Sequence, residues 1–337
     1  MAKQENRNTL STSVLVRRFL PYFRKYRKTM AFDLCCAALT TVCELVLPLI
    51  VRTITTRATY DVASLTVPFV LMMGGVYMLL RIIDAAANYY MQSIGHIMGS
   101  QLETDMRHDI FHHLQELSFG YYSDTKVGQI MARITSDLFE ITELAHHGPE
   151  DLFISFVTIV GALTVMATIE WRLTLVVAVM IPVFILVSFS RRKAMRTASR
   201  RVKKKTAVIN ADIESALSGI RTAKAFANEP VEAEKFTRSN DTYKTSKKQF
   251  HKEMGIFMGT MEFFTTSLSV AVVAVGGLLI MQGQMDTVDL LTFTLYIASF
   301  VTPIRKLANF SELYANGTAG FERFLEIMRT EPELRDA

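Results

Sequence analysis

Residues 206–230 read TAVINADIESALSGIRTAKAFANEP and lie halfway along a long polar stretch between two apolar segments. Apolar side chains recur there at helical spacing up to Leu217, after which Ser218 and Gly219 interrupt the pattern. Glycine favours a turn, and the proline that ends the stretch suits the first turn of a new helix. The pattern therefore predicts a helix, a short transverse helix over residues 219–226, and a returning helix.

The composition indicates a membrane protein. Half of the 337 residues are hydrophobic, and the mean hydropathy is positive. The net charge of +5 is modest and no basic run is interleaved with stacking aromatic residues, so no nucleic-acid partner is expected. The three cysteines fall in one apolar segment without Cys-x-x-Cys spacing, which argues against disulfides and against a cysteine zinc site.

Six apolar stretches approach the length that a helix needs to cross a bilayer. They predict a membrane domain over residues 29–328, with spans at about 30–51, 67–90, 152–169, 173–189, 256–281 and 290–307. Three connections are short and two are long and charged, and the two kinds alternate along the chain. Because each span crosses the membrane once, the two long connections lie on the same side. A basic run after the fourth span places that side in the cytosol. We expect a multi-pass protein of the plasma membrane with both termini in the cytoplasm.

A basic amphipathic segment precedes the first span. Between residues 14 and 28, apolar side chains alternate with arginines and lysines. This mixture predicts an interfacial elbow helix, which together with the cytosolic amino terminus occupies residues 1–28. A basic flank that only orients the first span carries the same charges, and the sequence leaves both interpretations open.

The two long connections carry apolar residues at helical spacing, which predicts spans that continue as helical arms into water. A continuous helix over residues 190–218 would reach on the order of 40 Å beyond the membrane. The first arm bends at residues 119–128, FGYYSDTKVG, where Gly120 and Gly128 bracket a short segment. We therefore predict an all-α membrane protein, with six transmembrane helices extended into long cytosolic arms and preceded by an elbow helix.

Three stretches resemble the membrane domain of an ATP-binding cassette exporter of the six-span type, and the resemblance covers essentially the whole chain. Residues 119–137, FGYYSDTKVGQIMARITSD, are similar to the first coupling segment of that family, and residues 216–229, ALSGIRTAKAFANE, are similar to the second. Residues 303–328 resemble the end of the sixth span and the helix beyond it. The resemblance implies two membrane domains with a shared central cavity, whose inward and outward states alternate with ATP binding and hydrolysis.

The resemblance also implies contacts with an ATPase domain. The implied coupling residues are Tyr121, Tyr122, Asp124, Gly219, Arg221, Lys224 and Phe226. No G-x-x-x-x-G-K-[ST] stretch occurs, so we assign no catalytic residue to this chain and expect ATP and Mg²⁺ on the nucleotide-binding domain. Residues 329–337 are interpreted as the start of the linker to that domain. We favour the interpretation that the sequence is a membrane domain excised from a longer protein. The alternatives are that the ATPase domain is encoded separately, or that the rest of the chain is omitted from the sequence.

Ionisable residues inside spans need partners or water, because each costs roughly 2.5 to 3.5 kcal/mol at a helix centre. Arg81 and Asp84 are three residues apart and are predicted to pair with each other rather than to contact a substrate. Asp33, near the cytosolic end of its span, is expected to snorkel. Glu44 and Glu262 have no basic residue near them in the sequence. For Glu262 the sequence favours neither of two interpretations, a residue of the substrate cavity or a residue of the helix packing. The substrate-cavity candidates are Glu44, Met258, Glu262, Phe293, Tyr296 and Phe300.

No metal site is predicted. His146 and His147 are adjacent and point about 100° apart on a helix, so this pair does not chelate one ion easily. Gly95 with Gly99, and Gly255 with Gly259, each form a G-x-x-x-G step where a span becomes an arm, which predicts close helix contact.

These observations favour the translocation pathway of an ATP-driven exporter for amphiphilic small molecules such as drugs, for lipids or for peptides. The expected partners are a second membrane domain in a homodimer, the ATPase domain, membrane lipids and a hydrophobic or amphiphilic substrate. A secondary transporter or channel is the alternative, but the spans lack paired Gly and Pro interruptions and the arms would have no use. A membrane scaffold or sensor explains the arms but not the carboxylates in the spans.

Overall fold

The computed structural model describes residues 12–332, which form α-helices and no strands within that range. The predicted all-α fold is therefore confirmed. The helices are α1 (Thr12–Arg24), α2 (Arg27–Tyr60), α3 (Val67–Tyr90), α4 (His96–Glu116), α5 (Phe119–Asp124), α6 (Val127–Ala132), α7 (Leu138–Ile169), α8 (Trp171–Ser218), α9 (Ile220–Ala225), α10 (Glu229–Met281) and α11 (Thr287–Met328). Residues 1–11 of the predicted cytosolic terminus and residues 333–337 of the predicted linker lie outside the described range.

Six helical stretches are long and apolar enough to cross a membrane. Two of them are compound, because the π-helical segment Met91–Gly95 joins α3 to α4 and a second one, Arg133–Asp137, joins α6 to α7. Helices α8 and α10 run for 48 and 53 residues, well beyond the roughly 20 that a bilayer requires. The prediction that spans continue into helical arms is therefore confirmed.

Polar caps fix the starts of two spans after short connections. Thr66 accepts a hydrogen bond from the Phe69 amide at the start of α3, and Asp286 accepts one from the Asp289 amide at 2.7 Å at the start of α11. The Asp289 carboxylate in turn accepts from Arg52 Nη2 at 2.5 Å, which ties the later part of α2 to the start of α11.

The chain divides into two compact units, of which one is Leu175–Ala274. In the other unit, α4 presents one buried residue every four positions to the core. This stripe is Met98, Leu102, Met106, Ile110 and Leu114. The same core includes Phe321 and Phe324 of α11, and the Phe19 ring of α1 meets the Phe321 ring edge-on at 5.4 Å. The helix predicted as an elbow thus exists as α1 and packs apolar side chains against its own chain.

Helices α7 and α11 approach each other closely at two glycines. A Cβ on Gly317 would lie 2.9 Å from the Glu140 carbonyl oxygen, and one on Gly320 would lie 2.9 Å from that of Asp137. One turn further on, Arg323 donates two hydrogen bonds of 2.6 Å to the Asp137 carboxylate. This bidentate pair fixes the returning half of the first arm against α11.

The unit Leu175–Ala274 is a long helical hairpin. The Phe184 ring stacks on Phe264 with centroids 5.2 Å apart, and Ser188 Oγ lies 3.3 Å from Met261 Sδ. Further along, Ser239 donates to the Asp212 carboxylate. In these contacts the residue number increases along α8 while the number of its partner on α10 decreases. The two helices therefore run antiparallel, as the sequence predicts.

Candidate coupling and translocation sites

The tip of the hairpin is built by the backbone. Helix α8 ends at Ser218, and α9 begins directly after Gly219. A Cβ on Gly219 would lie 3.2 Å from the Ser215 carbonyl oxygen, so glycine eases the turn. The sequence therefore predicted the position of α9 to within one residue at each end.

Helix α9 ends in a Schellman motif. The Asn228 amide donates to the Ala223 carbonyl at 2.8 Å, and the Ala227 amide donates to that of Lys224 at 3.3 Å. Ala227 has a φ of 49°, in the left-handed region where glycine is usual at this position. The sequence contains no glycine there, so this feature was not predictable from it.

The second tip exposes its aromatic residue. Phe226 is 80% exposed, and the side chains of Leu217 and Ile220 are exposed on the same tip. Arg221 and Lys224 are also exposed. The tip thus presents apolar and basic side chains together, and the predicted coupling role of Gly219, Arg221, Lys224 and Phe226 stays a prediction.

The first tip uses its tyrosines differently. Tyr121 packs against the buried core of its arm, and the Tyr122 hydroxyl donates to the Leu114 carbonyl oxygen. Burial raises the pKa of Tyr122, so the hydroxyl stays protonated and remains a donor. Phe119, at the start of α5, is 92% exposed, and Asp124 is exposed at its end. The predicted coupling role of Tyr121, Tyr122 and Asp124 stays a prediction.

Sequence reasoning missed Phe119. Leu117, two positions earlier, is buried, and the backbone at Leu117 and Ser118 is extended. Because the chain enters α5 from this extended pair, the next aromatic residue points away from the arm. The available signal was that each tip has an aromatic residue at one end of its short helix, Phe119 at the start of α5 and Phe226 directly after α9.

The cavity candidates on α11 are packing residues in this structure. Phe293, Tyr296 and Phe300 are at most 1% exposed, and the Tyr296 hydroxyl donates to the Leu45 carbonyl oxygen at 2.5 Å. That bond joins α11 to α2 next to Glu44, which is exposed. None of the three rings is accessible to a ligand here, and their cavity role stays a prediction.

The candidates on α10 lie on an open surface of their own unit. Met258 and Glu262 are four residues apart and both exposed, whereas Phe257 and Met261 are buried. A carboxylate that faced lipid at this depth would be costly, so Glu262 needs water, a ligand or a second chain beside it. Unlike Glu262, the Asp84 carboxylate of α3 has a basic partner in its own helix, because it contacts Arg81 Nη1 at 3.0 Å. The predicted ion pair between Arg81 and Asp84 is therefore confirmed.

The comparisons with known proteins agree with this architecture. Residues 30–304 match the family model of the ABC transporter transmembrane region. The chain is 33% identical over 324 residues to the uncharacterized ABC transporter ATP-binding protein YwjA of Bacillus subtilis, covering 96% of this chain and 56% of that protein. It is 21% identical over 318 residues to the putative multidrug export ATP-binding/permease protein YgaD of the same species, covering 93% and 55%. It is 24% identical over 239 residues to the mouse ABC-type oligopeptide transporter ABCB9, covering 71% and 31%. The chain thus spans about half the length of the first of these relatives.

Proposed function

The chain belongs to the family of ABC transporter transmembrane regions, and from this premise we propose that it forms the translocation pathway of an ATP-driven exporter. In this proposal the chain spans the plasma membrane with both termini in the cytoplasm, and pairs with an identical copy. The two copies enclose a cavity that opens alternately to each side. ATP and Mg²⁺ bind on a nucleotide-binding domain, which supplies the energy.

The exposed tip of the hairpin is the observation that carries the proposal. Phe226 lies at the end of helices of 48 and 53 residues, and it is 80% exposed on a short helix whose two ends are fixed by backbone hydrogen bonds. Exposed aromatic anchors supply much of the energy of small protein contacts. A rigid lever with such an anchor suits the transmission of force from an ATPase domain. A channel or an ion-driven transporter has no use for it.

The proposed substrates are amphiphilic molecules, with drugs, lipids or peptides as the classes. The exposed pair of Met258 and Glu262 combines an adaptable thioether with a carboxylate, which suits varied apolar ligands that carry a positive charge. Of the relatives, one is named as a putative multidrug exporter and one as an oligopeptide transporter, which supports a broad amphiphilic class.

Transport into inside-out vesicles tests the proposal. Vesicles that contain the transporter assembled with its ATPase domain receive ATP or a non-hydrolysable analogue in the outer medium, which their cytoplasmic face contacts, and uptake of a cationic amphiphilic dye is followed. We expect uptake with ATP only, unchanged when ionophores remove the ion gradients. Uptake that needs an ion gradient and proceeds without ATP hydrolysis would support the secondary transporter instead.

A further inference from the structure

A buried cluster of ionisable side chains lies away from both tips, where α2, α4 and α7 meet. Asp33 of α2 is 0% exposed, and His146 and Glu150 of α7 are each 3% exposed. His96 and His147 flank them, with ring centroids 5.2 and 4.6 Å from the His146 ring. The expectation that Asp33 snorkels to the membrane surface is wrong, because the neighbouring helices enclose it.

The inner three residues are not fully satisfied by the protein. Both carboxylate oxygens of Asp33 and both ring nitrogens of His146 are buried without a hydrogen-bond partner among the described residues, whereas Glu150 Oε2 lies 3.3 Å from His147 Nδ1. Buried polar atoms of native proteins nearly always have partners. The four atoms of Asp33 and His146 in one place indicate that something outside the polypeptide completes the cluster.

The spacing of these atoms suits ligands of one ion. His146 Nδ1 is 3.9 Å from Asp33 Oδ2, and His146 Nε2 is 3.7 Å from Glu150 Oε2, both too long for hydrogen bonds. The two nitrogens of one ring point in different directions, so only one of them can bind a given ion. One ligand atom from each of the three residues lies within 4.8 Å of the others. Two ligands at about 2.1 Å from a tetrahedral ion are about 3.4 Å apart, so small side-chain shifts would close a shell.

The backbone leaves room at the cluster. A Cβ on Gly95 would lie 2.6 Å from His146 Cε1 and 2.8 Å from Asp33 Oδ1. Gly95 closes the π-helical segment Met91–Gly95, and single π-helical turns are frequent at functional sites. The predicted close contact is thus confirmed at Gly95, whereas a Cβ on Gly99, Gly255 or Gly259 would meet nothing within 4 Å among the described residues.

The charges of the cluster also call for a cation. Asp33 and Glu150 bring two carboxylates into a buried space, and repulsion between them is relieved by a divalent ion. The neighbouring Lys306 is held by Asp151 at 2.8 Å. A pocket of about 360 Å³ is lined by Gln92, His147, Glu150 and Lys306 among others, so it borders the Glu150 side of the cluster.

We propose that Asp33, His146 and Glu150 bind a divalent first-row transition cation of the Zn²⁺ type. Imidazole and carboxylate are ordinary ligands of Zn²⁺, and three protein ligands leave a fourth position for water. His96 and His147 lie beside the ion and shield it, and are not ligands. The ion joins α2 to α7 next to the start of α4, so it stabilises the helix bundle at the base of the first arm.

Zinc titration of the tag-free, chelator-treated membrane domain in detergent tests the proposal. We expect one Zn²⁺ per chain, with Asp33→Asn and His146→Ala at least about a hundredfold weaker. His112→Ala with Glu116→Gln is the matched control, because that exposed pair has the same residue types and the same four-residue spacing, with Nδ1 and Oε1 3.3 Å apart. The control should bind as the wild type does. Equal affinity of wild type and Asp33→Asn would overturn the proposal.

A measurement on the wild-type protein covers the case in which the buried variants do not fold. Because Zn²⁺ binds the folded state, adding it should raise the melting temperature, and a chelator should lower it. Co²⁺ as a spectroscopic probe should show the absorption of a nitrogen and oxygen ligand set. Absence of both effects in the wild type would overturn the proposal. Loss of binding in His96→Ala but not in Asp33→Asn would assign the ion to the three histidines and overturn this ligand set.

Discussion

The tips of the two arms have equal length but place their aromatic side chains differently. Helices α5 and α9 are each six residues long. In the first tip Tyr121 and Tyr122 turn back onto the arm, and Phe119 alone is largely exposed. In the second tip Phe226 is exposed, and backbone hydrogen bonds hold the turn. An aromatic residue in a tip therefore does not by itself indicate a contact with a partner, because it can instead pack against its own arm and hold the tip in place.

The arms behind the tips differ in the same way. The stripe from Met98 to Leu114 buries one face of α4 in the core of its own unit. Val208, Ile213 and Leu217 on the hairpin arm are 38–64% exposed. The first arm is thus stabilised by its own chain, whereas the apolar side chains of the second remain available to a partner. We expect substitutions in the first arm to affect stability and those in the second tip to affect coupling.

The largest expected effect is at Ile110, which is 0% exposed in the stripe on α4. Ile110→Ala leaves a cavity and should destabilise the membrane domain by about 2 to 5 kcal/mol. Ile213→Ala, the same change at a 38% exposed position of the second arm, should cost less than about 0.5 kcal/mol. Thermal unfolding in detergent compares the two. Equal losses would show that the second arm has a core of its own.

Substitutions of Phe119 and Tyr121 distinguish the residue that contacts a partner at the first tip from the residue that holds the tip on its own arm. Phe119→Ala should weaken the contact with the ATPase domain by about 2 kcal/mol and leave thermal stability unchanged, because the ring touches little of its own chain. Tyr121→Ala should do the reverse and lower the melting temperature. Binding of the ATPase domain and unfolding are measured on both variants. Weak binding of an otherwise stable Tyr121→Ala protein would restore the tyrosine as the anchor.

The smallest effect concerns the Tyr122 hydroxyl. Tyr122→Phe removes its hydrogen bond to the Leu114 carbonyl and should cost about 1 kcal/mol of stability, with coupling retained. Tyr243→Phe is the matched control in the second arm, where the ring rather than the hydroxyl contacts Lys247. It should be neutral in the same unfolding experiment. A Tyr122→Phe protein of unchanged stability would show that the hydrogen bond does not hold the tip.

Local patterns in the sequence were sufficient for most of the fold. Span length and helical spacing determine α8 and α10, and Ser218 with Gly219 marks the break before α9, because each signal acts over a few neighbouring residues. Side-chain surroundings depend on distant residues and were not readable. Asp33 is enclosed by Gly95 and His146, which are more than 60 positions away, so its burial is set by helix packing.

The same limit applies to the candidate sites. The exposed position of Phe226 follows from a break in a regular pattern, but the split between Phe119 and the two tyrosines depends on how α5 meets the end of α4. Considered alone, the adjacent residues His146 and His147 are predicted to bind a metal ion poorly, because their side chains point in different directions on a helix. His146 acquires its neighbours from α2 and from one turn further along α7, and no local spacing shows the first of these.

In the proposed function, Phe226 transmits substrate binding to an ATPase domain. Phe226→Asp places a charge in a desolvated contact, and should weaken that contact by at least about 2 kcal/mol. Val208→Asp is the matched control, because it makes the same kind of change at an exposed apolar position of α8 away from the tip. Both variants must be folded and inserted in the membrane, with the ATPase domain present.

The decisive measurement is the ratio of substrate-stimulated to basal ATPase activity, taken together with substrate binding. We predict that Phe226→Asp binds substrate normally and loses stimulation, while Val208→Asp keeps both. Normal stimulation in Phe226→Asp would contradict the account, because it would show that the tip is a surface turn and that motion reaches the ATPase domain by another route.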